Sequence, residues 1–290
     1  MGCLSRRSFL TRLFSWIALP ILHPLGGRPA IPHDPLMKVE AGTRGSRSIA
    51  DDFIGEELSY RMSFLWIRQA AIGRISFEEV QPGQLWRAIL EGKATGIIGW
   101  LTRYRTDTYT SYMEPIDGGR RLRPLRFEED IVGGGKIRRK ITHFDYRRGK
   151  LVESRMNREG IFIRNEGGIP RGVMYDDFLT AFYNFRSGVY GKIQRGKRYR
   201  VRTLPKAGIS TIDVEIATKE EEMRMRRGQR DGGDREYYVT VFLDKEITKS
   251  RTGKVKGWVS KNLVPIEGTI EDVVFFGDVH GSLIGKRRTS

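Results

Sequence analysis

The chain has 290 residues, 39% of them hydrophobic and 30% charged, a formal net charge of +17, and a single cysteine, Cys3. That is enough apolar material for one large β domain or two small ones. A lone thiol near the N-terminus excludes a disulfide framework and a thiolate metal centre, so stability must come from a packed core.

At the N-terminus, Ser5-Arg6-Arg7-Ser8-Phe9-Leu10 precedes an apolar run from Leu13 to Leu25 that is broken by Ser15, Pro20, His23 and Pro24. Paired arginines ahead of a short apolar segment are the twin-arginine form of signal peptide. Arg6 and Arg7 are therefore the signal residues, the export machinery is a partner, and the expected compartment is the periplasm. The run falls short of the roughly 20 continuous apolar residues that a spanning helix needs. Residues 1–30 read as the signal segment, with cleavage near Gly27 to Ala30. Residues 31–54, rich in Gly, Pro, Arg and Ser, read as a flexible tether.

The folded part is expected from about Gly55 to residue 284. Leu58, Tyr60, Met62 and Phe64 alternate with Ser59, Arg61 and Ser63, the period of a strand with one wet face. Alternation recurs in Gly73 to Phe77, Lys197 to Arg202, Ile209 to Ile216 and Tyr237 to Leu243. Turn residues separate such segments at Gln81 to Gln84, Asp117 to Gly119, Arg148 to Lys150, Asn165 to Gly168 and Arg251 to Lys254. Gly133-Gly134-Gly135-Lys136 reads as a turn as well, because the residue order of a phosphate-binding loop is missing. The predicted fold is mainly β: a single strongly curved antiparallel sheet or open barrel.

One helix is predicted over about 177–187, with Phe178, Phe182 and Phe185 at helical spacing. Asp176 or Asp177 caps its start, Arg186 complements its carbonyl end, and Gly188 stops it. Residues 218–234 are highly charged and read as an exposed insertion, either a short helix supported by Glu220 with Arg224 and Glu222 with Arg226 or an unstructured loop. Residues 285–290 form a basic tail.

Several blocks together resemble the bacterial envelope family called domain of unknown function 3108. They are Gly55 to Tyr60 leading into Ser63 to Ile67 and Ala70 to Gly73; His143 to Tyr146; Asp177 to Arg186 followed by Gly196 to Tyr199; and Trp258 to Ile266 ahead of Gly277 to Leu283. The resemblance spans roughly residues 55–284 and lies in the order of the blocks. It implies an exported protein with one bent antiparallel sheet, similar to the open barrels that carry lipoproteins or other acylated molecules.

An apolar concave face suits an acyl chain, and Tyr60, Phe64, Trp66, Phe77 and Trp86 are the expected lining beneath the helix. The same aromatics equally suit a filled core. Tyr183 belongs to the candidate binding set. Asp177 and Arg186 join it because they match the family's helix block, although capping already accounts for both. For chemistry, only the pairs His143 with Asp145 and His280 with Asp278 offer a base and an acid on one strand face, and no nucleophile elbow accompanies them.

Neither catalysis, cofactor nor metal is expected. The reading is an exported binding or envelope-structure protein whose partners are lipid, lipopolysaccharide or envelope proteins, with a structural partner of an outer-membrane assembly as the alternative. No specific nucleic acid is expected. It becomes the alternative only if the N-terminus is not a signal, and Arg198, Arg200 and Arg202 lie opposite Tyr199 rather than beside it.

Overall fold

Fourteen strands among the described residues pair into one antiparallel sheet that does not close. The computed structural model describes residues 48–157, 159–206, 209–226 and 234–289. The signal segment, most of the tether with His33, and residues 227–233 of the charged insertion lie outside the described residues. Among the described residues, no helix is long and apolar enough to cross a membrane.

The sheet is two meanders joined at their oldest and youngest strands. The first runs β1 (Glu56–Phe64), β2 (Ile67–Gln81), β3 (Leu85–Ala94), β4 (Thr106–Ile116), β5 (Arg121–Gly133), β6 (Lys136–Asp145), β7 (Lys150–Met156) and β8 (Phe162–Gly168). The second runs β9 (Arg198–Lys206), β10 (Ile209–Ile216), β11 (Tyr237–Phe242), β12 (Lys254–Val259), β13 (Pro265–Val273) and β14 (Gly277–Arg288). Strand β14 pairs with β1, from Glu56 opposite Arg288 to Ser63 opposite His280, which leaves β8 and β9 as the two edges. Short connections make such a meander the simplest way to satisfy every interior backbone group.

The chain passes from one edge to the other through helix α2 (Phe178–Arg186); a short helix α1 (Gly96–Leu101) precedes it between β3 and β4. Asp177 caps α2 by accepting from the Leu179 and Thr180 amides at 2.9 and 3.1 Å, and Gly188 at φ +75° follows its end. The predicted span of about 177–187 brackets this helix, and of the two candidate caps it uses Asp177. Leu179 and Tyr183 pack into the core of the first meander with Phe77, Trp86 and Phe127, while Ala181 packs with Tyr199, Val201 and Ile212 of the second. One helix touching both half-sheets requires the sheet to bend around it, the curvature anticipated from strand number.

Several expectations shift. The folded part begins before Gly55: Ser48 caps a 3-10 turn over Ile49–Asp52, and Ala50 and Phe53 are buried in the main core. Asn165 to Gly168 do not turn the chain. They lie in β8, whose seven residues are all exposed, and an edge strand tolerates glycine because it is paired on one side only. Gly285 to Arg288 are the end of β14 rather than a free tail.

The charged insertion opens with helix α3 (Lys219–Arg226). Its Glu222 is buried and accepts from Arg195 at 2.8 Å instead of pairing with Arg226, which lies 4.7 Å over the Trp258 ring. The arginines of β9 alternate outward as predicted. Two of them are matched across the ladder, Arg198 with Glu215 and Arg200 with Asp213.

Candidate functional site

The interior is filled. Phe77 and Trp86 are 1% exposed, and Phe53, Phe77 and Tyr183 form mutual ring contacts beneath α2 with centroids 4.6 to 5.9 Å apart. These aromatics are core, so among the described residues the space expected beneath the helix as an aromatic-lined concavity is filled by side chains.

Polar groups anchor the helix inside this core. Asp177 accepts from the Ser111 and Thr180 hydroxyls at 2.6 and 2.8 Å, and Asn184 exchanges two 2.9 Å hydrogen bonds with the backbone of Leu122. Asp176 accepts from Arg121 at 3.1 Å and from Tyr190 and Asn184. Burial pushes both carboxyl groups up, Asp177 to about 6, against the pull of these donors. The composition of α2 hid this: its aromatic stripe is only half-buried, and the fully buried side carries Thr180, Tyr183 and Asn184.

An open cavity of about 740 Å3 lies instead at the C-terminal end of α2. Phe53, Phe185, Ile193, Tyr237 and Leu263 supply apolar and aromatic wall; Lys192, Lys261 and Lys286 stand on its rim. All three lysines are exposed, and none is ion-paired with a carboxylate of the described residues. Six segments build the cleft: the turn before β1, the start of β1, the end of α2 with the loop after it, the start of β11, the β12–β13 turn, and the end of β14.

Rigid supports hold that wall. Arg186 leaves α2 to meet Glu56 at the start of β1 in a two-pronged ion pair, the second contact 2.8 Å, with both side chains under a tenth exposed. Its guanidinium lies 4.8 Å over the Phe53 ring and 5.1 Å over Phe182. The Tyr199 hydroxyl donates to the Lys192 carbonyl at 2.6 Å and accepts from the Gln194 amide at 3.0 Å, fixing the loop that carries Lys192. Arg287 is tied to Glu57, and Arg288 donates to the carbonyls of Ile54 and Asp51. Acidic Glu56 is neutralised by Arg186, which leaves the three lysines and Arg288 as the cleft cations without a carboxylate partner among the described residues.

Residues 59–283 match the family model described as Protein of unknown function (DUF3108). The chain belongs to the DUF3108 family. No curated protein matches it. In this DUF3108 chain the matched span supplies α2, the Lys192 loop and the β12–β13 turn, whereas Phe53, Glu56 and Lys286 flank the match and complete the cleft.

Of the candidate binding residues named from the sequence, only Arg186 lines the cleft; Phe185 and Gly188, read there as helix-face and helix-stop residues, line it too. Tyr183 and Asp177 are buried in the core, and Tyr60 donates its hydroxyl to the Pro265 carbonyl at 3.1 Å. Phe64 belongs to a separate small cluster with Ala70 and Ile98. Trp66 is 82% exposed in the β1–β2 turn, not in a lining, because the strand ends one residue before Leu65 takes a left-handed conformation.

The two His/Asp pairs separate. His143 is buried in β6 while Asp145 accepts from the Arg148 amide at 2.9 Å in the following turn; His280 is exposed beside the Thr269 hydroxyl, and Asp278 accepts from the Asp272 amide. Neither histidine lines the cleft. Among the described residues, no cluster of three or more His, Cys, Asp or Glu side chains is arranged to hold a metal ion. The lysine rim was not legible because its members lie far apart in sequence: Lys261 sits in the Trp258 to Ile266 block and Lys286 in the basic tail, and nothing local shows that they meet at the end of the helix.

Proposed function

We propose that this DUF3108 protein is exported to the periplasm and binds an anionic amphiphile of the envelope without catalysis, with the acyl part against Phe53, Phe185 and Leu263 and the charged head on Lys192, Lys261 and Lys286. The observation that carries the reading is the unpaired lysine rim over an apolar wall in a cavity of about 740 Å3. Ligand sites of roughly 300–1,000 Å3 with a few convergent polar groups are typical of small-molecule binding. The two-residue N-terminal arginine signal supports the compartment. Nucleic acid is the weaker fit, since Arg198 and Arg200 are already matched by Glu215 and Asp213.

The test is a titration with palmitoyl-lysophosphatidylglycerol alongside zwitterionic palmitoyl-lysophosphatidylcholine. The wild-type chain should prefer the anionic lipid, and Lys192→Gln/Lys261→Gln/Lys286→Gln should weaken its binding by about tenfold or more while leaving the zwitterionic lipid unchanged. Equal affinity of variant and wild type for the anionic lipid would remove the cleft from the mechanism. Native mass spectrometry of the protein recovered from the periplasm tests export and the retained ligand together.

A further inference from the structure

The end of the sheet remote from the cleft is built differently. Strand β1 starts at the cleft with Glu56 and ends eight residues later at Phe64, a separation of roughly 27 Å for an extended strand. There the β1–β2 tip, the β13–β14 tip and helix α1 meet. The Phe64 and Phe276 rings touch at 5.0 Å, Ile98 of α1 packs into the same cluster, and the Thr95 amide donates to the Ala70 carbonyl at 2.9 Å.

Around that small buried cluster, six large apolar or aromatic side chains point outward. Leu65, Trp66, Ile97, Trp100, Tyr104 and Phe275 are each 60 to 82% exposed. Isolated exposed apolar residues are unremarkable, but a contiguous group on protruding tips marks an interaction site. Backbone conformation is a second, independent sign. Leu65, Tyr104 and Phe275 sit at φ 49°, 53° and 72°, a left-handed region where glycine or asparagine is favoured and bulky side chains are disfavoured. Local chemistry alone therefore argues against large apolar residues at these three positions.

We infer that this end docks on an anionic lipid bilayer, inserting its hairpin tips and the outer face of α1 into the interfacial layer. Three features select a bilayer over a protein partner. The apolar groups stand on two hairpin tips and on or just after a short helix rather than along one strand or helix face. Tryptophan and tyrosine are the side chains that settle at a membrane–water interface. The charge alongside is positive: Arg68, Arg103 and Lys136 are exposed and unpaired with any described carboxylate, the last carried to this end by the Thr106–Val132 pairing of β4 and β5. The neighbouring Asp107 is neutralised by Arg105 at 2.6 and 2.7 Å, and Asp278 of the β13–β14 tip, which accepts from the Asp272 amide at 3.0 Å, is a single exposed carboxylate against these three cations. Each basic group near an anionic surface adds attraction that salt weakens.

Tryptophan fluorescence of the full chain carrying Trp16→Phe tests this, because Trp86 and Trp258 are 1% exposed and shielded. The probe is vesicles of phosphatidylglycerol and phosphatidylethanolamine with brominated acyl chains, compared with phosphatidylcholine vesicles. Emission should shift to the blue and be quenched, and further substitution Trp66→Phe/Trp100→Phe should abolish most of the quenching. Trp66→Ser/Trp100→Ser/Phe275→Ser should weaken vesicle binding about tenfold or more, with an unchanged unfolding temperature and unchanged lysolipid binding in the cleft. Absence of quenching overturns the inference, as does equal vesicle binding by the serine variant. A wild-type dimer that ignores vesicles and is dissociated by the serine variant overturns it in favour of a second copy. Because the two sites lie at opposite ends, failure here leaves the cleft reading standing, and the lysine variant leaves this one standing.

Discussion

Arg186→Met should lower folding stability by about 3–5 kcal/mol, the cost of stranding a buried charge when its partner is removed. In a domain of this size that corresponds to a melting temperature lower by roughly 10 °C. The Glu56 carboxylate is buried against the guanidinium and keeps no other ionic partner among the described residues when the arginine is truncated. Methionine preserves much of the packing over Phe53 and Phe182, so the loss reports charge rather than volume. Lysine is no substitute, as a point charge cannot make the two-pronged contact. Adding Glu56→Gln to the methionine variant should recover a large part of the loss. Urea unfolding followed by fluorescence checks both variants, and a loss below about 1 kcal/mol would show that the pair is solvated rather than buried.

Asp177→Asn should change the pH dependence of stability. Burial raises the Asp177 carboxyl from an ordinary value of 3.8 to about 6 in the folded chain, despite hydrogen bonds from Ser111 and Thr180. Below about pH 4 the group is protonated in both folded and unfolded chains. Between about 4 and 6 only the folded chain retains the proton, so the contribution of this group to stability falls as pH rises through that window, by on the order of 3 kcal/mol. Asp176 is shifted in the same direction by burial, and the more exposed Glu57 and Glu271 are lowered by their basic partners, giving the opposite slope. Comparing variant with wild type cancels Glu57 and Glu271, whereas Asp176, whose charge acts on Asp177, changes with the substitution. Asparagine still caps a helix, so the variant should gain on the wild type as pH rises from 4 to 7. Urea midpoints at pH 4, 5, 6 and 7 give the difference directly, and a flat difference would mean that Asp177 keeps the same proton affinity folded and unfolded.

Much of the architecture was legible in short windows. The alternation of Leu58 to Phe64 and of Tyr199 with its flanking arginines fixes which side of each strand is wet, since side chains in a strand alternate by geometry. Helix α2 was legible for the same reason: its cap at Asp177 and its stop at Gly188 act within one turn. The Asn165 to Gly168 run misled because glycine and asparagine mark both turns and unloaded edge strands, and only the pairing with β7 distinguishes them. Trp66 misled because alternation extended past Phe64 ignores the left-handed Leu65 that ends the strand.

Residue pattern alone was sufficient for the β class, the bent sheet, the helix with its ends, the family resemblance and the basic character, because each depends on neighbours within a few residues or on totals over the chain. The cleft and the exposed tip cluster depend on contacts between distant segments: Arg186 reaches Glu56 across 130 positions, and Phe64 meets Phe276 only because β1 pairs with β14. Such meetings are set by which strand edges join and how the sheet bends over one helix. No local periodicity carries that information, since a strand presents the same alternation whichever neighbour it acquires.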